Sequence, residues 1–258
     1  ERAPGIRPDG PRLARSARSS GRIGASASGP PEWHRVRPAR RPAGWLAARL
    51  AGWMLCAITT SGCGPRLHEL TGEPAPAILP AAALPVGHRR IVFRWHLEDP
   101  DFAGRGEGAA RLAHPDSARV DFFLGGGVGS GVAVLIDADL RFARGADNLT
   151  RRLVPPAALL WGALGRSAVP PARDTTVRVD SDLLRADIGK PVAWRLTFVR
   201  DTLRRVERVD RGRIVEWVER FSDGRIRYRN EVSRRQLDLT ITRSVNDNPF
   251  DAATWKLP

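Results

Sequence analysis

Few groups in this sequence are placed for covalent chemistry. The run Gly125-Gly126-Gly127-Val128-Gly129-Ser130-Gly131 has the composition of a phosphate-cradling loop. Such a loop needs a Lys-Ser/Thr pair and a helix whose first amides face the phosphate. Here the apolar run from Val132 to Ile136 follows, which reads as a strand. The glycines therefore read as a hairpin loop. His68, His88, His96 and His114 show no metal-ligand spacing with one another or with a cysteine. Glu98, Asp99 and Asp101 cluster at a strand end, and Asp137 and Asp139 lie close together. Paired carboxylates can do acid–base work, but both groups read as solvated turns. No serine stands in a Gly-x-Ser-x-Gly elbow. The expectation is no enzyme, no metal and no cofactor.

Three other sets of residues point to non-covalent roles. The first is near the start. Arg40-Arg41 precede Gly44-Trp45-Leu46-Ala47-Ala48-Arg49, the apolar run Leu50 to Ile58, and Thr59-Thr60-Ser61-Gly62-Cys63. A basic stretch, a short apolar stretch and a small-residue site describe a secretory signal. Ending at Cys63, it resembles a bacterial lipoprotein signal, which implies lipid attachment at Cys63 and loss of Cys56 with the leader. Gly64 after the cysteine implies the outer membrane.

The second set is aromatic and apolar. Phe93, Trp95, Phe122, Leu124, Trp161, Trp194, Phe198 and Trp217 are assigned to inward faces. They serve as core, and they also suit an apolar ligand in a concavity. The third set is Arg225, Arg227 and Arg229, alternating with Ile226 and Tyr228. This stripe reads either as a solvated outer face that blunts a strand edge or as a contact for an anionic surface such as lipid headgroups.

Composition narrows the classes further. The chain has 258 residues and a formal charge of +14, with 42 Lys+Arg against 28 Asp+Glu. Residues 1–62 carry +8 of this and residues 63–258 only +6. The basicity is thus concentrated outside the folded part, and no nucleic-acid partner is expected. Two cysteines exclude a disulfide scaffold. No apolar run reaches the roughly 18 residues of a spanning helix.

Four stretches organise the chain. Residues 1–43, rich in Arg, Pro, Gly and Ser, read as a disordered or spurious upstream extension. Residues 44–62 are the signal peptide. Residues 63–89 begin with the lipidated cysteine and continue as a proline-rich tether. Residues 90–258 form a β-rich domain. Alternation over 91–97, 119–124, 175–180, 192–198, 214–221, 225–229 and 236–242 predicts strands. With shorter segments the count is eight to ten, in antiparallel meanders. Residues 153–164 predict one helix, with proline in its first turn.

The Gly-rich strand with Gly104, Gly106 and Gly108 is followed by Pro115, Asp116, Arg119, Val120 and Asp121. With the hairpin run Arg205 to Tyr228 and Phe250-Asp251, this resembles the LolA/LolB-like superfamily of bacterial envelope proteins. The resemblance is one of pattern, over about residues 90–258. It implies a mainly β (α+β) fold: a curved antiparallel sheet, or unclosed β-barrel, with helices against its concave face. It also implies binding of lipid or lipoprotein acyl chains by a lipid-anchored outer-membrane protein facing the periplasm. The other reading is a structural or assembly-factor envelope lipoprotein that acts through protein contacts and holds no ligand.

Overall fold

A computed structural model describes residues 64–124, 130–144, 148–170 and 172–257. The extension 1–43, the leader 44–62, Cys63 and the loop residues 125–129 lie outside the described residues. The described residues form one antiparallel sheet of thirteen strands. They are β1 (Glu73–Ala75), β2 (His88–Asp99), β3 (Phe102–Ala113), β4 (Ser117–Leu124), β5 (Ser130–Ile136) and β6 (Asp139–Phe142), then β7 (Thr175–Asp180), β8 (Leu183–Ile188), β9 (Trp194–Val199), β10 (Thr202–Asp210), β11 (Arg213–Arg220), β12 (Arg225–Asn230) and β13 (Arg235–Asp247). Two helices, α1 (Asn148–Leu153) and α2 (Ala157–Leu164), lie between β6 and β7.

The order across the sheet is β1-β7-β8-β9-β10-β11-β12-β13-β2-β3-β4-β5-β6. The first meander, β2 to β6, runs to one edge. The chain must then cross almost the whole sheet to start β7 near the other edge. The second meander returns until β13 pairs with β2 along their length, from Gln236 opposite Glu98 to Asp247 opposite His88. The sheet is open, with β1 and β6 as its edges. Register shifts at Leu203/Arg205, Arg208/Val209 and Ile241/Arg243 are bulges, which add local bend and twist.

The expected fold class, a curved antiparallel sheet with helices on one face, is what the chain adopts. The strand count is higher than expected. β8 went unread because Leu183-Leu184 breaks the alternation before Ala186 and Ile188 take the buried face. β1 contains Pro74, which an edge strand tolerates because its amide need not donate. The helix expectation needs correction. Val154-Pro155-Pro156 interrupts residues 153–164, so Leu153 ends α1 and α2 starts only at Ala157. Pro156 is extended (φ −53°, ψ 150°) and precedes the helix; each proline also disfavours helix in the residue before it, Val154 and Pro155. Residues 64–87, read as a tether, are extended and packed down. Arg66 bridges to Arg213, β1 pairs with β7, and Leu84 joins the core at 3% exposure.

One buried row crosses the sheet: Val177, Ala186, Leu196, Val206, Val218, Tyr228, Leu237 and Leu97. Next to Leu97 the row meets Gly104, and Trp95 and Phe93 face Gly106 and Gly108. A Cβ on Gly106 would come within 2.7 Å of the Trp95 ring, and one on Gly108 closer still to the Phe93 ring. The glycines of β3 thus leave the face over which the aromatic rings of β2 lie flat. Phe122, opposite Gly108, meets Phe93 edge-on with centroids 5.6 Å apart and Trp95 at 6.3 Å.

The motif Arg119-Val120-Asp121 splits between the two faces. Val120 is core. Asp121, 6% exposed, takes Arg111 at 2.6 Å and Arg119 at 3.1 Å. Arg119 also donates to the carbonyl oxygens of Thr254 and Lys256, which ties the short 3-10 helix Ala252–Trp255 to β4. Phe250 packs on Trp255 and His88 in the same region.

The replacement Gly108→Val is expected to cost about 1–3 kcal/mol by overpacking. Urea unfolding followed by tryptophan fluorescence checks this: the midpoint falls while the slope is unchanged.

Candidate functional site

The apolar face of a single sheet must be covered, and the crossover from β6 to β7 covers it. α2 packs on β10, β11 and β12. Leu159, Leu160, Trp161, Gly162 and Ala163 are all buried, so this helix is apolar almost all round rather than striped. Gly162 allows the close approach: a Cβ there would press on Val206 and Val218. The Trp161 indole N–H donates to the Asp137 carbonyl in the β5–β6 turn. Arg166 stacks over the Trp161 ring at 4.6 Å and pairs with the Asp137 carboxylate at 3.3 Å. Gly165, at φ 93°, ends the helix, and Ser167 N–H donates to Ala82.

Between α1, α2 and the sheet lies an apolar cavity of about 50 Å3. Its walls include Phe93, Phe122, Leu153, Leu160, Tyr228 and Arg220. Of the side chains assigned to a ligand cavity from the sequence, Phe93 and Phe122 line it. Trp95, Trp161 and Phe198 are core residues at 2%, 0% and 1% exposure. Leu124 and Trp194 are half-buried and pack against that core. Trp217 is a correction. It lies opposite Glu207 and Arg229, on the face away from Val206 and Val218. Arg205 stacks on its ring at 4.0 Å and its N–H donates to Glu231. Alternation could not decide this strand, because Trp217 and Val218 are both apolar and only pairing with β10 sets the register.

The arginine stripe also differs from its functional reading. Arg225, Arg227 and Arg229 do face outward, but each is ion-paired. Arg225 meets Asp223 at 2.7 Å, Arg227 meets Asp238 at 2.6 Å, and Arg229 meets Glu231 at 3.1 Å. The hydrogen bond from Arg225 holds the Asp223 carboxyl below its usual range, and the one to Asp238 raises Arg227 above the ordinary arginine value. The stripe belongs to a lattice of ion pairs on the outer face, some across strands and some between residues two apart. Arg205 with Glu207 and Glu219, and Arg195 with Asp187, continue it. A contact with an anionic surface would have to compete with these carboxylates, so the stripe is a self-neutralised sheet face. Of the other carboxylates flagged for chemistry, Asp99 pairs with Arg152 and Asp139 with Arg141. His96 lies beside Glu98 on the outer face. Among the described residues no three His, Cys, Asp or Glu side chains group as a metal site. No described helix is long and apolar enough to cross a membrane.

Tyr228 and Arg220 are the polar cavity residues that sequence reasoning missed. Tyr228 is 3% exposed, and burial, then the charge of Glu216, pushes its hydroxyl up to about 12. Asn230 bonds that hydroxyl and also donates to Glu216, which is itself buried and meets Arg208. The available signal was the alternation Ile226, Tyr228 against Arg225, Arg227, Arg229, which places tyrosine inward.

No protein-family model matches this sequence, and no curated protein matches it. Solved structures do. A LolA superfamily protein from Nitrosomonas europaea is 12% identical, with a TM-score of 0.45 over 68% of this chain and 93% of that one. A DUF1329 family protein from Desulfovibrio piger is 8% identical, with a TM-score of 0.39 over 66% and 90%. A Vibrio parahaemolyticus domain, provisionally assigned to outer-membrane lipoprotein sorting, is 8% identical, with a TM-score of 0.36 over 66% and 89%.

Tyr228 is the sole tyrosine, so phenolate absorbance reports it alone. Its folded value lies above the ordinary value of about 10. Stability from the neutral phenol is therefore full below about pH 10 and is lost as pH rises toward 12. An alkaline titration should show phenolate appearing together with loss of the far-ultraviolet strand signal. Ionisation near pH 10 in the folded state would contradict this burial.

Proposed function

We propose that this protein is a lipid-anchored bacterial outer-membrane protein that takes up an acyl chain of a lipid or lipoprotein without covalent chemistry. The observation that carries the reading is the apolar cavity between the concave face and α2. Its walls are almost entirely hydrocarbon, and burial of hydrocarbon contributes roughly 25 cal/mol per Å2. The leader and Cys63 supply the anchor, and the geometry of use follows from it: the membrane brings acyl chains within reach of the sheet.

Uptake needs movement. A cavity of about 50 Å3 is far short of an acyl chain, so α2 must shift from the sheet. This helix has eight residues, no side-chain cap, Pro155-Pro156 before it and a left-handed glycine after it. Those features make it a separable cover whose cost of leaving is mainly exposed apolar area, which an entering chain would restore. The small cavity also favours a second reading, an assembly or structural lipoprotein that acts through other envelope proteins with no ligand.

Two measurements test this. Ala163→Leu should fill the cavity, leave the melting temperature within a few degrees and abolish stoichiometric uptake of a fluorescent fatty acid by the purified full chain. Uptake that survives this change places the chain outside this cavity, and none in the unmodified protein favours the second reading. Cys63→Ala should end radiolabelled palmitate incorporation and move the protein from the membrane fraction to the periplasmic extract.

A further inference from the structure

We infer that Arg220 is an anion site at the mouth of the apolar cavity, and that the chain taken up there is a single acyl chain ending in a carboxylate. The inference rests on the acyl-binding reading and names its substrate class. Arg220 is the last residue of β11, on the same face as Val218. It is the one charged side chain in the cavity wall, beside Phe93, Leu160, Leu164 and Ile226.

The same arginine lines a second, open groove of about 250 Å3, together with Arg89, Gly165, Asp201 and Leu203. Arg220 and Leu164 therefore stand where the hydrocarbon interior meets solvent. Its position beside Gly165 is close, since a Cβ on that glycine would touch the guanidinium. Asp201 is the carboxylate of this groove, and no ion pair joins it to Arg89 or Arg220.

The outer face holds several of its arginines differently. There Arg195, Arg205, Arg225, Arg227 and Arg229 each hold a carboxylate at 3.1 Å or less. Arg220 has no carboxylate and no hydrogen-bond acceptor among the described residues. Burial, and then the charge of Arg204, push its guanidinium below the ordinary arginine value. A desolvated cation beside a like charge is costly to keep, and a bidentate carboxylate is the partner its planar fork fits best. A carboxylate held there would place the attached chain at the cavity, under α2. The narrow interior favours one chain over two.

The test is calorimetry on the full chain, with palmitate, hexadecanol and lysophosphatidylglycerol supplied in turn from mixed micelles. Palmitate should bind roughly tenfold tighter than hexadecanol, the scale of one charge-assisted hydrogen-bonded pair. Arg220→Gln should reduce palmitate to the level of hexadecanol and leave hexadecanol unchanged, while Arg225→Gln keeps the preference. The palmitate–hexadecanol ratio in the unmodified protein stands even if Arg220→Gln fails to fold. Equal binding of the two overturns this inference and leaves acyl binding intact. Lysophosphatidylglycerol binding tighter than palmitate overturns the carboxylate assignment in favour of a phosphate headgroup. Binding of none of the three overturns both the inference and the reading beneath it.

Discussion

A single sheet with one apolar face has to be covered, and this chain covers it with its own crossover. Most large sheets solve the problem with a second sheet or a layer of long helices. Here the path from β6 at one edge to β7 near the other must cross the concave face, and α1 and α2 form on that path. Two meanders, their seam at β13 and β2, and a helical stretch from Asn148 to Leu164 interrupted at Val154-Pro155-Pro156 are consequences of one topology. The cover is thin. Trp161 reaches through it to the Asp137 carbonyl, and Gly162 lets it sit against Val206 and Val218.

The two faces of the sheet use charge differently. On the outer face, arginines and carboxylates alternate across strands, as in Arg205–Glu219 and Arg227–Asp238. Exposed pairs of this kind contribute little each, but they neutralise a surface built from many arginines. Arg195 and Asp187 are more deeply set, and Arg195 also donates to the His68 carbonyl, so the packed segment after residue 64 is fixed to the sheet. On the inner face the same residue type occurs at Arg220 without a carboxylate. Basic residues are therefore counted on one face and conspicuous on the other.

Much of the fold was legible because each long strand alternates cleanly. Ile91 to Leu97 and Arg225 to Arg229 read correctly for that reason. Where both faces carry apolar side chains, as at Trp217-Val218, alternation is silent and the partner strand decides. The glycines of β3 were visible as a strand poor in large side chains, but their cause, the rings of Phe93 and Trp95 above them, is a cross-strand fact. The proline-rich stretch before β2 was legible as extended, and its packing on the sheet was not, because Leu84 buries through contacts distant in sequence. The site was the least legible part. Tyr228 could be placed inward by its neighbours, whereas Arg220 stands out only once the cavity it lines and the ion pairs of Arg195, Arg205 and Arg227 are known.

The central claim is that α2 is a displaceable cover over a site for an acyl chain. Hydrogen exchange of the full chain, with and without palmitate, tests it most directly. The account predicts that amides of residues 157–164 exchange faster when palmitate is bound, while those of β2, β3 and β13 stay protected. Unchanged protection of 157–164 in a protein that demonstrably holds palmitate would contradict it, because the chain would then have entered elsewhere.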